Sequence, residues 1–138
     1  GRNWKRYDIA YRGSFFDFQE STSGQLIAVG LRGNIFVSSS SDLSWKKLQT
    51  CVTTSLNSIV RTDTDKLYIT GNNGVLLALD SSKTTANEYF PENNEGCAVH
   101  ASLSRLGNDL SDSILNGLVI KDAMLAVTAS GIKKVELK

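Results

Sequence analysis

The sequence predicts an all-β fold assembled from one repeated four-stranded unit, and three observations carry that reading. Trp4 and Trp45 stand 41 residues apart, and the same offset lays residues 1–33 on residues 42–74 without a gap. Matched positions agree in kind: Lys5-Arg6 with Lys46-Lys47, Ser14 with Ser55, Phe15 and Phe18 with Leu56 and Ile59, Leu26 with Leu67. The apolar runs inside each copy are short, partly β-branched and bounded by polar clusters and glycines, as strands are. A period of roughly 40–45 residues is that of one blade of a β-propeller.

Each element follows in order. Ser14 to Phe18 and Ser55 to Val60 read as a first strand. The polar clusters Glu20 to Gln25 and Arg61 to Lys66 read as turns, and Leu26 to Val29 and Leu67 to Thr70 as a second strand. Gly30-Leu31-Arg32-Gly33 and Gly71-Asn72-Asn73-Gly74 then punctuate the chain, with Gly or Asn expected to supply the positive φ of a tight hairpin. Asn34 to Val37 and Val75 to Leu79 form a third strand, and a last strand starts at the Trp. The unit is an up-and-down meander.

A third copy closes the sequence. Ser113 to Leu115 and Leu118 to Ile120, a turn at Lys121-Asp122, Met124 to Val127, Ser130-Gly131, and Ile132 to Leu137 repeat the pattern. Gly131 lies 57 residues after Gly74, so extra chain is expected between Ala86 and Ser113. Residues 101–112 show no period and read as a loop or one helical turn between blades. The expected division of the single segment 1–138 is a last strand of a preceding blade over 1–11, blades over 12–50 and 51–90, an insertion over 91–112, and an incomplete blade over 113–138.

Composition narrows the function. With 41% hydrophobic and 21% charged residues and a net charge of +1, the chain has the balance of a soluble globular domain. It lacks the basic excess of a nucleic-acid binder, and no apolar run reaches the ~18 residues of a membrane-spanning helix. Cys51 and Cys97 are expected as two buried small hydrophobes in separate strands. The alternative is one bridge between adjacent blades, which requires an oxidising compartment. His100 is the sole histidine and reads as a solvated residue of the insertion, so no metal ligand spacing exists. No helix follows the glycines as a phosphate cradle requires. No cofactor and no metal are expected.

The ends carry an expectation about assembly. An unpaired edge on both the first and last copy favours pairing with another chain. The segment is therefore expected to belong to a six- or seven-bladed propeller, or to be completed by a second chain whose Trp4 to Ala10 strand pairs beside Ile132 to Leu137.

Gly1 to Trp4 and Ser38 to Trp45 resemble the Asp-box, Ser-x-Asp-x-Gly-x-Thr-Trp, of sialidase-type repeat propellers. The second copy keeps Ser38 and Trp45, with Ser44 for Thr, Ser40 for Asp and Asp42 for Gly. The third has Ala86 where the Trp would stand. Val29-Gly30-Leu31-Arg32-Gly33-Asn34-Ile35 is similar to the turn of the photosystem II assembly/stability factor-like repeat proteins. The likeness covers residues 1–80 and, more loosely, 113–137. It implies that Trp4 and Trp45 pack between blades, and that Gly30, Gly33, Gly71, Gly74 and Gly131 are structural. It also implies a protein partner in a membrane-associated complex, on the periplasmic, lumenal or exported side.

Sialidase chemistry requires an arginine cluster, a Tyr–Glu pair and an acid, and no spacing here forces such groups together. Asp17, Asp63 and Asp65 face Ser58, Thr22 and Gly24 in the sister repeat, as drifting surface positions do. The expected function is a non-catalytic scaffold that presents blade tips to a protein, with Arg32, Leu31, Asn72 and Asn73 as contact residues. The alternative is a carbohydrate-binding or sialidase-like glycosidase module whose catalytic residues lie outside this segment.

Overall fold

The computed structural model describes residues 3–6, 9, 11–39, 44–85, 88–92 and 96–137, and it is all-β, with strands in four separate antiparallel sheets. Strands β1 (Phe15–Glu20), β2 (Gln25–Gly30), β3 (Ile35–Ser39) and β4 (Trp45–Leu48) form a first meander. Strands β5 (Leu56–Arg61), β6 (Leu67–Gly71) and β7 (Leu76–Leu79) begin a second. A hairpin of β8 (Tyr89–Glu92) and β9 (Cys97–His100) interrupts it, and β10 (Leu103–Arg105) completes it beside β7. Strands β11 (Ile114–Ile120), β12 (Ala123–Thr128) and β13 (Gly131–Glu136) form the third sheet. No helix long and apolar enough to cross a membrane occurs among the described residues.

The repeat extends to backbone detail. A bulge interrupts the first strand of each of the three larger sheets at the same place, between Phe15 and Asp17, Leu56 and Ser58, and Ile114 and Asn116. Ser21 and Thr62 build identical turns, each hydroxyl accepting the N–H four residues on, from Gln25 and Lys66. Such local bonds replace the ladder where the chain reverses.

Each of these three sheets is apolar on both faces, which drives them to stack. The register puts Phe18, Ala28 and Phe36 on one face of the first sheet, here called leading, and Ile27 and Val37 on the other, trailing. Ile59, Ile69 and Leu77 hold the leading face of the second sheet, and Val60, Tyr68 and Ala78 its trailing face. Ile27, Val29, Ile35, Val37 and Leu48 pack with Ile59, Ile69 and Leu77 in one core. Val60, Tyr68 and Leu76 pack with Ile114, Met124, Ala126 and Val135 in another. Trailing face meets leading face both times. The first strands β1, β5 and β11 are brought side by side along one edge.

Several expectations are corrected. Residues 101–112 are not a loop or helical turn throughout: β10 lies there, with Leu103 opposite Leu79 as Trp45 lies opposite Ser38. The extra chain thus falls inside the second sheet, between its third and fourth strands. Ala86 lies outside the described residues, as do residues 40–43 of the Asp-box-like stretch. The described residues among 1–11 form no strand, and Trp4 is 92% exposed, so it is not core. Trp45 is half-buried on the leading face of the first sheet, its ring 6.3 Å from that of Phe18.

Cys51 and Cys97 are not separate thiols but a disulfide, with Cα atoms 6.0 Å apart. The bond fastens the β8–β9 hairpin to the chain leaving the first sheet, where the His100 N–H also donates to the Gln49 carbonyl at 2.9 Å. At the other end of the insertion, buried Thr84 accepts Gln25 Nε2 through its hydroxyl and Lys46 Nζ through its carbonyl. The insertion clasps both sheets. His100 is buried rather than solvated: its Nδ1 accepts the Ser102 N–H at 3.2 Å and its ring meets Tyr89 edge-on.

Candidate functional site

The two Gly-x-x-Gly tips are single 3-10 turns, Leu31–Gly33 and Asn72–Gly74, set by matched dihedrals. Arg32 has φ 58° and Asn73 φ 56°, while Gly33 and Gly74 sit at 73° and 71°. Left-handed backbone is intrinsic to Gly and tolerable for Asn, whereas for Arg it costs about 1 kcal/mol. Gly30 and Gly71 are extended and serve close approach instead, because a Cβ there would strike the carbonyls of Ser14 and Ser55. Gly131 has φ 124° in a two-residue hairpin, so the third sheet has no tip of this kind.

Each tip is seated by the segment that follows its sheet. The Thr50 hydroxyl donates to the Gly33 carbonyl at 2.9 Å, and Val52 lies against Gly33 so closely that a Cβ could not fit. Asn108 Nδ2 donates to the Gly74 carbonyl at 2.9 Å, and Leu110 lies against Gly74 in the same way. The first turn is also held from within, since the Leu31 carbonyl accepts Asn34 Nδ2 at 2.7 Å and the Tyr11 hydroxyl at 3.4 Å. A seated turn fixes the backbone from which its outer side chain projects, so the loop itself need not be ordered on binding.

The four expected contact residues divide. Arg32 and Asn73 are exposed at their tips, and Leu31 is half-buried beside Arg32. Asn72 is half-buried, and its Oδ1 accepts Asn57 Nδ2 at 3.0 Å, while the same Nδ2 reaches the Ile114 carbonyl at 2.9 Å. Its side chain thus steadies Asn57, which joins the second sheet to the third, a structural duty.

Of the three carboxylates singled out in the sequence, Asp63 is exposed, and the other two are bound. Asp17 is no drifting surface residue: Oδ2 accepts the Ile59 N–H at 2.8 Å and Oδ1 the Phe18 N–H at 2.8 Å. Asp65 accepts the Thr22 hydroxyl at 2.6 Å and pairs with Arg61 at 3.0 Å. The Thr22 hydroxyl first, then the Thr22 N–H and Arg61, hold its carboxyl below the usual range. Asp112, which the sequence did not single out, is bound by Lys133 at 2.7 Å and by Ser130, and these bonds lower its pKa also. These two groups are kept ionised, the opposite of what a general acid near neutral pH needs. No group of three His, Cys, Asp or Glu side chains that could hold a metal ion occurs among the described residues.

A second surface was missed by sequence reasoning. Phe15, Phe16, Phe18 and Trp45 line an open groove of about 460 Å3 on the leading face of the first sheet, with Ile9 at its rim. On the trailing face of the third sheet Leu118, Ile120, Leu125, Val127 and Ile132 stand exposed. The unbroken apolar runs of the third copy supply both faces of its sheet, but nothing local says that a neighbouring sheet covers only one. No known protein family, curated protein or solved structure matches the chain.

Proposed function

We propose that the chain is a three-blade propeller segment, acting as a non-catalytic scaffold that presents its blade tips to a protein partner. Support for the propeller geometry comes from three bulged first strands gathered on one edge, with trailing face on leading face between successive sheets. The observation that carries the binding role is Arg32. It is an exposed cation beside an apolar side chain, held at positive φ on a turn anchored by Tyr11, Asn34 and Thr50. Arginine on a preorganised support is the type of side chain that anchors interfaces.

The resemblance to photosystem II assembly/stability factor-like repeat proteins supports a partner within a membrane-associated complex. The Cys51–Cys97 disulfide supports a periplasmic, lumenal or exported setting, because such bonds persist in oxidising compartments. Affinity capture with the wild-type chain and with Arg32→Glu tests the reading. The variant is expected to melt as the wild type does and to lose its partner. Undiminished capture places the binding face elsewhere, and saturable binding on a glycan array replaces the scaffold with a carbohydrate module.

A further inference from the structure

The stacking rule inside the chain specifies what its two uncovered faces accept. Twice, a trailing face packs on the leading face of the next sheet. Two faces of the same kinds are left without a sheet. The leading face of the first sheet carries Phe18, 53% exposed, in the aromatic groove with Phe16 and Trp45. The trailing face of the third sheet carries Leu118 at 62% and Ile132 at 74%. Cross-strand pairing sets Leu118 against Leu125, and Val127 against Ile132, as one continuous aliphatic surface.

We infer that these faces bind each other between two copies of the chain, the third sheet of each packing on the first sheet of its partner. A groove on one side and projecting aliphatic side chains on the other fit the roles that the inner faces already play. Ile9 and Tyr11 cover only part of the leading face: Tyr11 stacks on Phe36 at 5.6 Å, while Phe16 and Phe18 remain open. Charge does not oppose the contact. Glu20 and Lys47 flank the leading face, and Glu136 and Lys134, themselves paired at 3.3 Å, flank the trailing one. Two copies give six stacked sheets, within the ~4–8 that close a ring. That count rests on the propeller reading; the matching of the faces does not. This packing replaces the edge pairing through Trp4 to Ala10, whose described residues form no strand.

Exposed apolar surface of this extent marks an interface. Light scattering of the purified chain is expected to give twice the chain mass. Phe18→Glu and Leu118→Glu, both at exposed positions, each raise the dimer dissociation constant at least about tenfold. Mixed together, the two variants are expected to form a 1:1 dimer, because one keeps an intact leading face and the other an intact trailing face. A monomeric wild type overturns the inference, since something other than a second copy would then cover these faces. So does a mixture that fails to associate, or self-association weakened by Phe18→Glu but not by Leu118→Glu. Open assemblies of more than two copies, with complementation intact, overturn only the six-sheet closure and with it the propeller reading.

Discussion

The Asp17 carboxylate accepts the backbone N–H of Ile59 at 2.8 Å, tying the first strand of one sheet to the first strand of the next. Both strands lie at a sheet edge, where N–H groups would otherwise face outward without a ladder partner. A charged acceptor meets that need at the bulge, and Asn57 does the equivalent between the second and third sheets by donating to the Ile114 carbonyl. Asp17→Ala is expected to cost about 2 kcal/mol, the range for a bond to a charged group. Asp17→Asn keeps an acceptor and should cost less. Chemical denaturation of both variants checks the order, and equal losses would show that the aspartate acts through something other than this bond.

The disulfide closes a long loop, its cysteines standing 46 positions apart in sequence. Restricting the unfolded chain over that span corresponds to about 4 kcal/mol in the loop-entropy treatment. Cys97→Ser, or reduction of the wild type, is therefore expected to lower the melting temperature sharply and to release the β8–β9 hairpin first. Hydrogen exchange would read that order as early loss of protection over residues 97–100. Protection lost evenly over all sheets would deny the hairpin its role as a clasp.

Gly33 and Gly74 combine positive φ with backbone contact, so a methyl group meets both a conformational and a steric penalty. Gly33→Ala and Gly74→Ala are each expected to destabilise by at least about 2 kcal/mol. Gly131 has positive φ with open space around its Cβ position, and Gly131→Ala should cost less. Thermal melts of the three variants rank them, and a Gly131→Ala as damaging as the other two would remove contact as the reason.

Much of this fold was legible because its cues are local. The Ser21 and Thr62 turns, the Gly-x-x-Gly tips and the short apolar runs each fit within a few residues, and an offset of 41 superposes them. What stayed hidden depends on distant chain. Strand β10 is three residues long, follows the insertion and has Leu103 in place of the Trp that marks β4. The Cys51–Cys97 pairing and the bond from Asp17 to Ile59 have no local signature, because each partner belongs to a different sheet or hairpin. Asp17 looked dispensable because its sister is Ser58. Ser58 instead bonds Thr70 inside its own sheet at 2.6 Å. Matched positions in a repeat thus serve different neighbours, and Trp4 and Trp45 show the same: one is exposed, the other shares the leading face with Phe18.

Three carboxylates are held below their ordinary pKa, and two of them, Asp65 and Asp112, join separate parts of the fold and make stability depend on acid. Asp65 is held charged chiefly by the Thr22 hydroxyl, which joins the turn of the first sheet to that of the second, with Arg61 beside it. Asp112 is held charged chiefly by Lys133 and Ser130, joining the chain that enters the third sheet to its far strand. Each folded-state pKa lies below its unfolded value. The stabilisation is therefore complete above the ordinary carboxylate pKa of about 4 and is lost as pH falls through the lower folded value. Between those two values the unfolded chain binds more protons, so stability rises with pH. Melting temperatures measured from pH 2 to pH 6 are expected to climb with pH in wild type, and less steeply in Asp65→Asn and Asp112→Asn. The double variant should be the flattest, since the two sites share no partner and their effects should add. A slope unchanged in the double variant would mean that other carboxylates carry the acid sensitivity, and that these two junctions hold equally well when protonated.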